Sequence, residues 1–197
     1  MRLILARHGQ SWANVDSTKH SDPDSPLTPL GEQQADRLGR WLKQHEPELD
    51  VIWASPLQRA RNTAAIANQY LNLPIVLHDG LMEIPRYDLP MLDQREHPFL
   101  PETQSTPPQP EDNILVHHRV QVKLVLDELI TDLYRPKPIL VVSHGGTCAA
   151  MLRIIFNRTD IYFRTHNTAF HDVEWRDGRW MIFGLNLKPH LPAELIT

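Results

Sequence analysis

Cysteine is nearly absent from this chain of 197 residues, with Cys148 as its single example. One cysteine cannot form an internal disulfide, and it cannot supply the paired thiolates of a cysteine-rich zinc site. Excess positive charge is also absent, since 20 lysines and arginines face 24 aspartates and glutamates, for a net charge of −4. We therefore expect no binding to nucleic acid or to an anionic membrane through overall positive charge. A local basic pocket is compatible with this balance.

Long apolar runs are missing as well. The segment Leu3–Ala6 has four apolar residues before Arg7, which is too few for a signal-peptide core or a membrane span. The sequence shows no internal repeats and no heptads. We expect a cytoplasmic protein without a membrane partner. A chain of this length, at roughly 100–200 residues per domain, predicts a single domain over residues 1–197.

Short apolar runs alternate with amphipathic stretches. The runs predict strands at 3–6, 51–54, 75–77 and 139–142, and the stretches predict helices after Thr28-Pro29, after Ser55-Pro56, over 114–135 and over 147–156. Apolar strands separated by helices are typical of an α/β fold with a mostly parallel sheet. The pair Asp177-Gly178 predicts a hairpin that adds an antiparallel pair of strands.

Proline is concentrated in one region. Seven of the 17 prolines fall between residues 84 and 113, which argues against regular helix or a central strand there. A long irregular segment within a compact domain is usually a functional lid or an insertion. We predict that residues 84–113 form a cap that sets specificity; the alternative is a disordered linker between two domains.

Charged and reactive side chains follow the predicted strands. Arg7 and His8 follow the first strand, Arg59 the second, Glu83 the third, and His144 the strand at 139–142. Ligands of such sheets bind outside the carboxyl ends of the strands, so we expect these five side chains to converge. Arginine forks pair well with phosphate oxygens, and the sequence therefore predicts a phosphate site.

Two histidines beside two arginines predict catalysis in addition to binding. Nearby positive charge keeps an imidazole neutral, and a neutral imidazole can accept a phosphoryl group. Arginines can neutralise the phosphoryl oxygens during transfer, while the carboxyl group of Glu83 can protonate the leaving oxygen and later activate water. The 11 histidines show no spacing typical of a zinc site. Most others, including the adjacent pair His117 and His118, are expected to be surface or polar filler residues.

These residues resemble those of the histidine phosphatase superfamily, in its phosphoglycerate mutase-like branch. The family signature is similar to the segment Leu5-Ala6-Arg7-His8-Gly9-Gln10-Ser11-Trp12-Ala13-Asn14. Further matches follow in family order over nearly the whole chain: Leu27–Gly31, Ser55–Ala60, Glu83, Val142–Gly146 and Asn167–Ala169. The resemblance implies an α/β fold built as a three-layer α/β/α sandwich, with a mixed, mostly parallel sheet of about six strands.

The resemblance also implies a role for each residue of the site. His8 would be the phosphorylated nucleophile, and Glu83 would donate and accept the proton. The phosphoryl group would be held by Arg7, Arg59 and His144. The substrate pocket is expected to be lined by Gln10, Asn14, Trp12 and Gly145. The implied chemistry needs neither a metal nor a cofactor.

Several positions depart from the pattern of the phosphoglycerate mutases. Gln10 stands where they usually have Glu, Ala13 where they have Trp, and the acid is followed by Ile84 instead of Arg. The last departure makes Asp88 an alternative candidate for the acid. We predict a metal-independent phosphatase of small phosphomonoesters that releases inorganic phosphate. The alternatives are a phosphoglycerate mutase with the same intermediate and an inactive phosphate-binding domain; the physiological metabolite and the oligomeric state stay open.

Overall fold

A computed structural model describes residues 1–16, 22, 24–83, 110–131, 137–158 and 160–197. The side chains of residues 110–116 are outside this description. The predicted cap at 84–113 and the alternative acid Asp88 therefore lie outside the described residues, apart from Pro110–Asn113. Those four residues are helical, contrary to the prediction of irregular structure up to Asn113.

The described part of the chain builds one mixed sheet of six strands in the order β3-β2-β4-β1-β5-β6. The strands are β1 (Arg2–Arg7), β2 (Val51–Ala54), β3 (Ile75–Leu77), β4 (Ile139–Ser143), β5 (Phe170–Arg176) and β6 (Arg179–Leu187). Strands β1 to β4 pair with one another in parallel. Strand β5 pairs antiparallel with β1, and β6 pairs antiparallel with β5 at the edge of the sheet. The predicted mostly parallel sheet is confirmed.

Helices cover both faces of this sheet. They are α1 (Trp12–Val15), α2 (Pro29–His45), α3 (Gln58–Leu71), α4 (Pro110–Thr131) and α5 (Gly145–Phe156). Side chains alternate along β1, so that Leu3 and Leu5 join one core with α4 and α5. Ile4 and Ala6 face the other core, with α2 and α3. Two cores on opposite faces of one sheet give the predicted three layers.

Local sequence signals account for most of the element ends. The Thr28 hydroxyl accepts the Gly31 N–H at 3.0 Å and caps α2, as the Thr-Pro pair predicts. In the β5–β6 hairpin, Asp177 and Gly178 have φ values of 52° and 74°. Positive φ at both central residues is the geometry that an Asp-Gly turn provides.

Three predicted helix starts are wrong. α3 begins at Gln58 after Leu57, so Ser55 does not cap it. α4 begins at Pro110 instead of residue 114, because proline is well tolerated in a first turn, where its missing N–H costs nothing. α5 begins at Gly145 instead of residue 147.

The chain's larger organisation is only partly tested. Among the residues described here, no helix is both long enough and apolar enough to cross a bilayer. The single domain over residues 1–197 and the cytoplasmic location stay predictions.

Candidate active site

The central strands β1 and β4 deliver two histidines to the same edge of the sheet. Arg7 and Ser143 are register partners at the ends of these strands, and the His8 N–H donates to the Ser143 carbonyl at 2.9 Å. The rings of His8 and His144, the next residues along, have centroids 5.1 Å apart. The predicted convergence of the two histidines is therefore a property of strand register.

The imidazole of His8 is 3% exposed and has a partner on each nitrogen. Its Nδ1 lies 2.6 Å from the Gly9 carbonyl, and its Nε2 lies 3.1 Å from Nε of Arg59. A carbonyl only accepts and a guanidinium only donates, so this geometry assigns the proton to Nδ1 and a lone pair to Nε2. Burial, reinforced by the charges of His144, Arg7 and Arg59, holds the pKa of His8 well below its usual value, so the ring is neutral.

Arg59 reaches the site from the first turn of α3 and is 9% exposed. Burial lowers its pKa, and the carboxylates of Glu83, Asp24 and Asp22 oppose that shift. The Thr63 hydroxyl ties this helix to the residue after His8: it donates to the Arg59 carbonyl at 2.7 Å and accepts the Gly9 N–H at 3.0 Å. The backbone of Arg59 is thus fixed relative to that of Gly9, next to the imidazole, through one hydroxyl.

Arg7 is oriented from the opposite side. Its guanidinium donates to the Thr165 carbonyl at 2.7 Å, and a Cβ placed on Gly145 would lie 3.6 Å from its Nε. The Thr165 hydroxyl in turn contacts Nε2 of the buried His171 at 2.9 Å. Gly145, the first residue of α5, therefore lies next to the Arg7 side chain.

His144 is the N-cap residue of α5 and is fully buried. Its Nε2 lies 2.8 Å from the Ser55 hydroxyl, which also accepts the Leu57 N–H at 3.3 Å. If the hydroxyl donates to Nε2 while it accepts the Leu57 N–H, the ring proton of His144 is on Nδ1. Within the described residues that Nδ1 has no hydrogen-bond partner. Burial, then the charges of Arg59, Arg7 and His118, lower the pKa of His144 well below its usual value.

Glu83 lies at the N-terminus of α5. Its Oε2 accepts the Gly146 N–H at 2.8 Å, and its Oε1 is 3.4 Å from the Thr147 hydroxyl. A side chain at Gly146 would overlap the carboxylate, so the glycine makes this close approach feasible. A helix N-terminus favours a carboxylate through its exposed N–H groups and its dipole. Glu83 is also close enough to Arg59 to raise the pKa of its guanidinium.

The remaining predicted pocket residues lie on the loop that follows His8. The Gln10 side chain accepts the Thr28 hydroxyl at 2.8 Å. Oδ1 of Asn14 accepts the Ser11 N–H at 3.1 Å and the Asn167 amide at 3.2 Å. Trp12 is 39% exposed. These contacts order the loop, and the substrate contacts of Gln10, Asn14 and Trp12 stay predictions.

Ser55 and His118 make contacts at the site that the sequence did not predict. Ser55, predicted to cap α3, contacts His144 instead, and only the fold brings these two residues together. His118 approaches Met82 and Thr147 from α4. Its spacing of four residues from the buried Val122 places it on the apolar face of α4, and this periodicity could have separated it from the exposed His117.

Comparison with known proteins gives a match to one family. The sequence model of the histidine phosphatase superfamily (branch 1) matches residues 3–188. The uncharacterized phosphatase PhoE of Bacillus subtilis (strain 168) is 31% identical over 197 residues, covering 96% of each chain. A 2,3-bisphosphoglycerate-dependent phosphoglycerate mutase of Methylorubrum populi is 30% identical over 170 residues, covering 80% of each.

A solved structure shows the same fold. The phosphoserine phosphatase of Entamoeba histolytica, crystallised in complex with 3-phosphoglyceric acid, superposes with a TM-score of 0.74. It is 23% identical, and the match covers 97% of this chain and 99% of the other. In the parts of this chain that the structure describes, no three histidine, cysteine, aspartate or glutamate side chains are grouped to hold a metal ion.

Proposed function

The chain belongs to branch 1 of the histidine phosphatase superfamily, and from that premise we propose that it hydrolyses small phosphomonoesters through a phosphohistidine at His8. The observation that carries the proposal is the state of the His8 ring: buried, neutral, and with the lone pair of Nε2 directed at Arg59. A neutral imidazole with an oriented lone pair is a competent nucleophile. Its surroundings are positively charged, as a phosphoryl group requires.

The first step is transfer of the phosphoryl group to His8. Nε2 attacks phosphorus, the P–N bond forms, and the P–O bond to the alcohol breaks. The Arg59 N–H that now donates to Nε2 turns to a phosphoryl oxygen. Arg7 and the Nδ1–H of His144 are further donors to the oxygens of the transferring group. Donors that are already held in place, as Arg7 and His144 are, stabilise the charge of the transition state with little reorganisation.

Glu83 carries the proton in both steps. As an acid it protonates the departing alkoxide, and as the resulting carboxylate it takes a proton from water. The water oxygen attacks phosphorus and the P–N bond breaks. Inorganic phosphate is released, and His8 returns to its neutral form. The position of Glu83 supports this role because its carboxylate is held by Gly146 and lies near Arg59. We propose that the enzyme is metal-independent, because Arg7 and Arg59 supply the positive charge that the phosphoryl oxygens require.

The decisive variant is His8→Ala. The wild type is expected to hydrolyse an aryl phosphate in the presence of EDTA and to form an acid-labile phosphoprotein. His8→Ala should lose at least about a thousandfold in kcat, because nothing else accepts the phosphoryl group. The exposed His45 offers a matched control, and His45→Ala should behave as wild type. An inactive wild type, or an active His8→Ala, contradicts the proposal.

A mutase is the second candidate, because a relative that is 30% identical is named as one. A mutase would return the phosphoryl group of His8 to a different hydroxyl of the substrate. Incubation with 3-phosphoglycerate separates the two functions: formation of the 2-isomer without free phosphate indicates a mutase, and release of phosphate indicates a phosphatase. Tight phosphate binding without any phosphoprotein would instead indicate an inactive binding domain.

A further inference from the structure

His118 contacts the segment that carries the proposed acid. Its Nε2 lies 3.3 Å from the Met82 carbonyl and 3.4 Å from the Thr147 hydroxyl. Met82 immediately precedes Glu83, and the Thr147 hydroxyl is itself 3.4 Å from Oε1 of Glu83. The imidazole of His118 therefore touches both neighbours of the carboxylate, one through the backbone and one through a side chain.

Other contacts also hold residues 81–83 in place. The Ser143 hydroxyl donates to the Leu81 carbonyl at 2.7 Å, and the Thr147 hydroxyl donates to the Met82 carbonyl at 2.9 Å. These donors belong to β4 and α5, and the Gly146 N–H of α5 holds the Glu83 carboxylate. His118 adds a polar contact from α4 and so connects the acid to a second helix.

The hydrogen-bond partners of His118 determine which of its ring nitrogens carries the proton. A carbonyl can only accept, so the contact with Met82 requires an N–H on Nε2. Thr147 has one hydroxyl proton, now directed at Met82. The Met82 carbonyl oxygen has two lone pairs, so it can accept from His118 and from Thr147 at once. The three groups therefore form one hydrogen-bonded cluster beside Oε1 of Glu83.

The titratable groups near His118 come from two directions. Glu83 lies after the short 3-10 helix Asp79–Leu81, and His144 stands at the start of α5. Burial lowers the pKa of His118, and the Glu83 carboxylate opposes that shift. The ring can thus donate to Met82 at neutral pH without adding a further positive charge beside Arg7 and Arg59.

We propose that His118 is a positioning residue for Glu83, acting through the Met82 carbonyl and the Thr147 hydroxyl. This inference rests on the proposed function, because it assumes that Glu83 transfers the proton. It adds a residue to the acid–base machinery. The consequence is specific: loss of the His118 donor should slow only those steps in which Glu83 moves a proton.

Esters with different leaving groups isolate those steps. An alkoxide needs a proton to leave, whereas a dinitrophenolate leaves without one. His118→Asn removes the donor at Nε2, and His118→Gln replaces it with an amide N–H at a similar position. For His118→Asn we expect kcat for an alkyl phosphate to fall about tenfold or more, a fraction of the full general-acid contribution. The rate of the dinitrophenolate burst, which reports phosphorylation of His8, should stay within about twofold of the wild-type rate.

Three further variants complete the experiment. His118→Gln should restore most of the alkyl phosphate rate, and His117→Asn, at the exposed neighbouring position, should match the wild type. Thr147→Val removes the hydroxyl at nearly constant volume and should show the same selectivity as His118→Asn. It provides the test if His118→Asn folds poorly, as judged by its Tm. In a Glu83→Gln background, His118→Asn should have no additional effect on the alkyl ester.

The outcomes separate the two proposals. If the wild type hydrolyses both esters but His118→Asn slows the alkyl ester turnover and the dinitrophenolate burst equally, or slows neither, the positioning role is wrong while the proposed function stands. If the wild type shows neither a burst nor turnover, the proposed function itself is wrong. Slower turnover of the alkyl ester with an unchanged dinitrophenolate burst, and rescue by His118→Gln, supports the positioning role.

Discussion

Burial and neighbouring donors decide the state of each histidine at this site. His8 and His144 are both buried and both have a lowered pKa. The Gly9 carbonyl requires Nδ1–H in His8, and we propose that donation by the Ser55 hydroxyl to Nε2 keeps the ring proton of His144 on Nδ1 as well. The first arrangement directs a lone pair at the reacting group, and the second directs a donor at it. Two identical side chains thus have opposite proposed roles.

Ser55→Ala tests the tautomer of His144. Without the hydroxyl, nothing in the described residues holds the lone pair on Nε2, and Nδ1–H is no longer fixed. We expect kcat/KM to fall about tenfold and the competitive Ki of inorganic phosphate to rise by a similar factor, equivalent to about 1.4 kcal/mol. Steady-state kinetics with phosphate as inhibitor provide the measurement.

Ser25→Ala is the matched control for that experiment. Its hydroxyl is equally buried and accepts the Ala13 N–H at 2.9 Å, outside the proposed phosphate site. This variant should lose stability but keep the phosphate Ki within about twofold. An unchanged Ki in Ser55→Ala would show that the hydroxyl does not set the ring proton.

Among the elements, α2 supports the loop after His8 through a close approach of backbones. A Cβ on Gly31 would overlap the Gln10 carbonyl, and a Cβ on Gly9 would overlap the Gly31 carbonyl. The Thr28 N–H also donates to the Gln10 carbonyl at 2.9 Å. The first turn of α2 and the residues after the proposed nucleophile are therefore packed as one unit, which only glycine at both positions allows.

Gly31→Ala tests this packing. In a free helix the change would stabilise by about 0.5–1 kcal/mol, because alanine is a better helix former than glycine. Here the methyl group meets backbone that cannot rotate away, so we expect a net destabilisation of about 1–3 kcal/mol and a slower phosphorylation burst. Urea unfolding and burst kinetics are the measurements.

The exposed neighbour Gln33 gives the control for Gly31. Gln33→Ala lies on the same turn, and its free energy of unfolding should stay within about 0.5 kcal/mol of the wild type. Stabilisation by Gly31→Ala would mean that the loop and the helix are less tightly packed than the structure indicates.

Over the whole molecule, the buried neutral histidines link folding to pH. Burial lowers the pKa of His171 and of His190 to about 4, and His8 and His144 shift in the same direction. In the unfolded chain these rings titrate at about 6.5. As pH falls below that value, the unfolded state binds protons that the native state does not. The free energy of unfolding should therefore fall with decreasing pH.

This linkage can be measured by urea unfolding at a series of pH values. Between about pH 6.5 and pH 4, each such histidine should contribute a slope of up to about 1.4 kcal/mol per pH unit. His190→Gln keeps an amide near the Thr168 hydroxyl, which now contacts His190 at 3.0 Å, but removes the titration. Its slope should be shallower than that of the wild type, while His45→Gln, at an exposed position, should leave the slope unchanged. Equal slopes in all three proteins would contradict the linkage.

The three layers of the fold, and the convergence of polar residues at one edge of the sheet, follow from local sequence patterns. Four apolar residues in Leu3–Ala6 require burial on both faces of a strand, and the polar residues after each strand end must meet at one edge. These are consequences of periodicity and strand direction, so they can be predicted without coordinates.

Which side chains contact one another at that edge depends instead on how distant segments pack. Ser55 and His144 are 89 residues apart, and the hydroxyl that local sequence assigns to a helix cap instead fixes an imidazole. His118 and Thr147 meet because α4 packs against α5. A hydrogen bond depends on distance and angle within a few tenths of an ångström, and these are set by packing between distant segments, which no local pattern records.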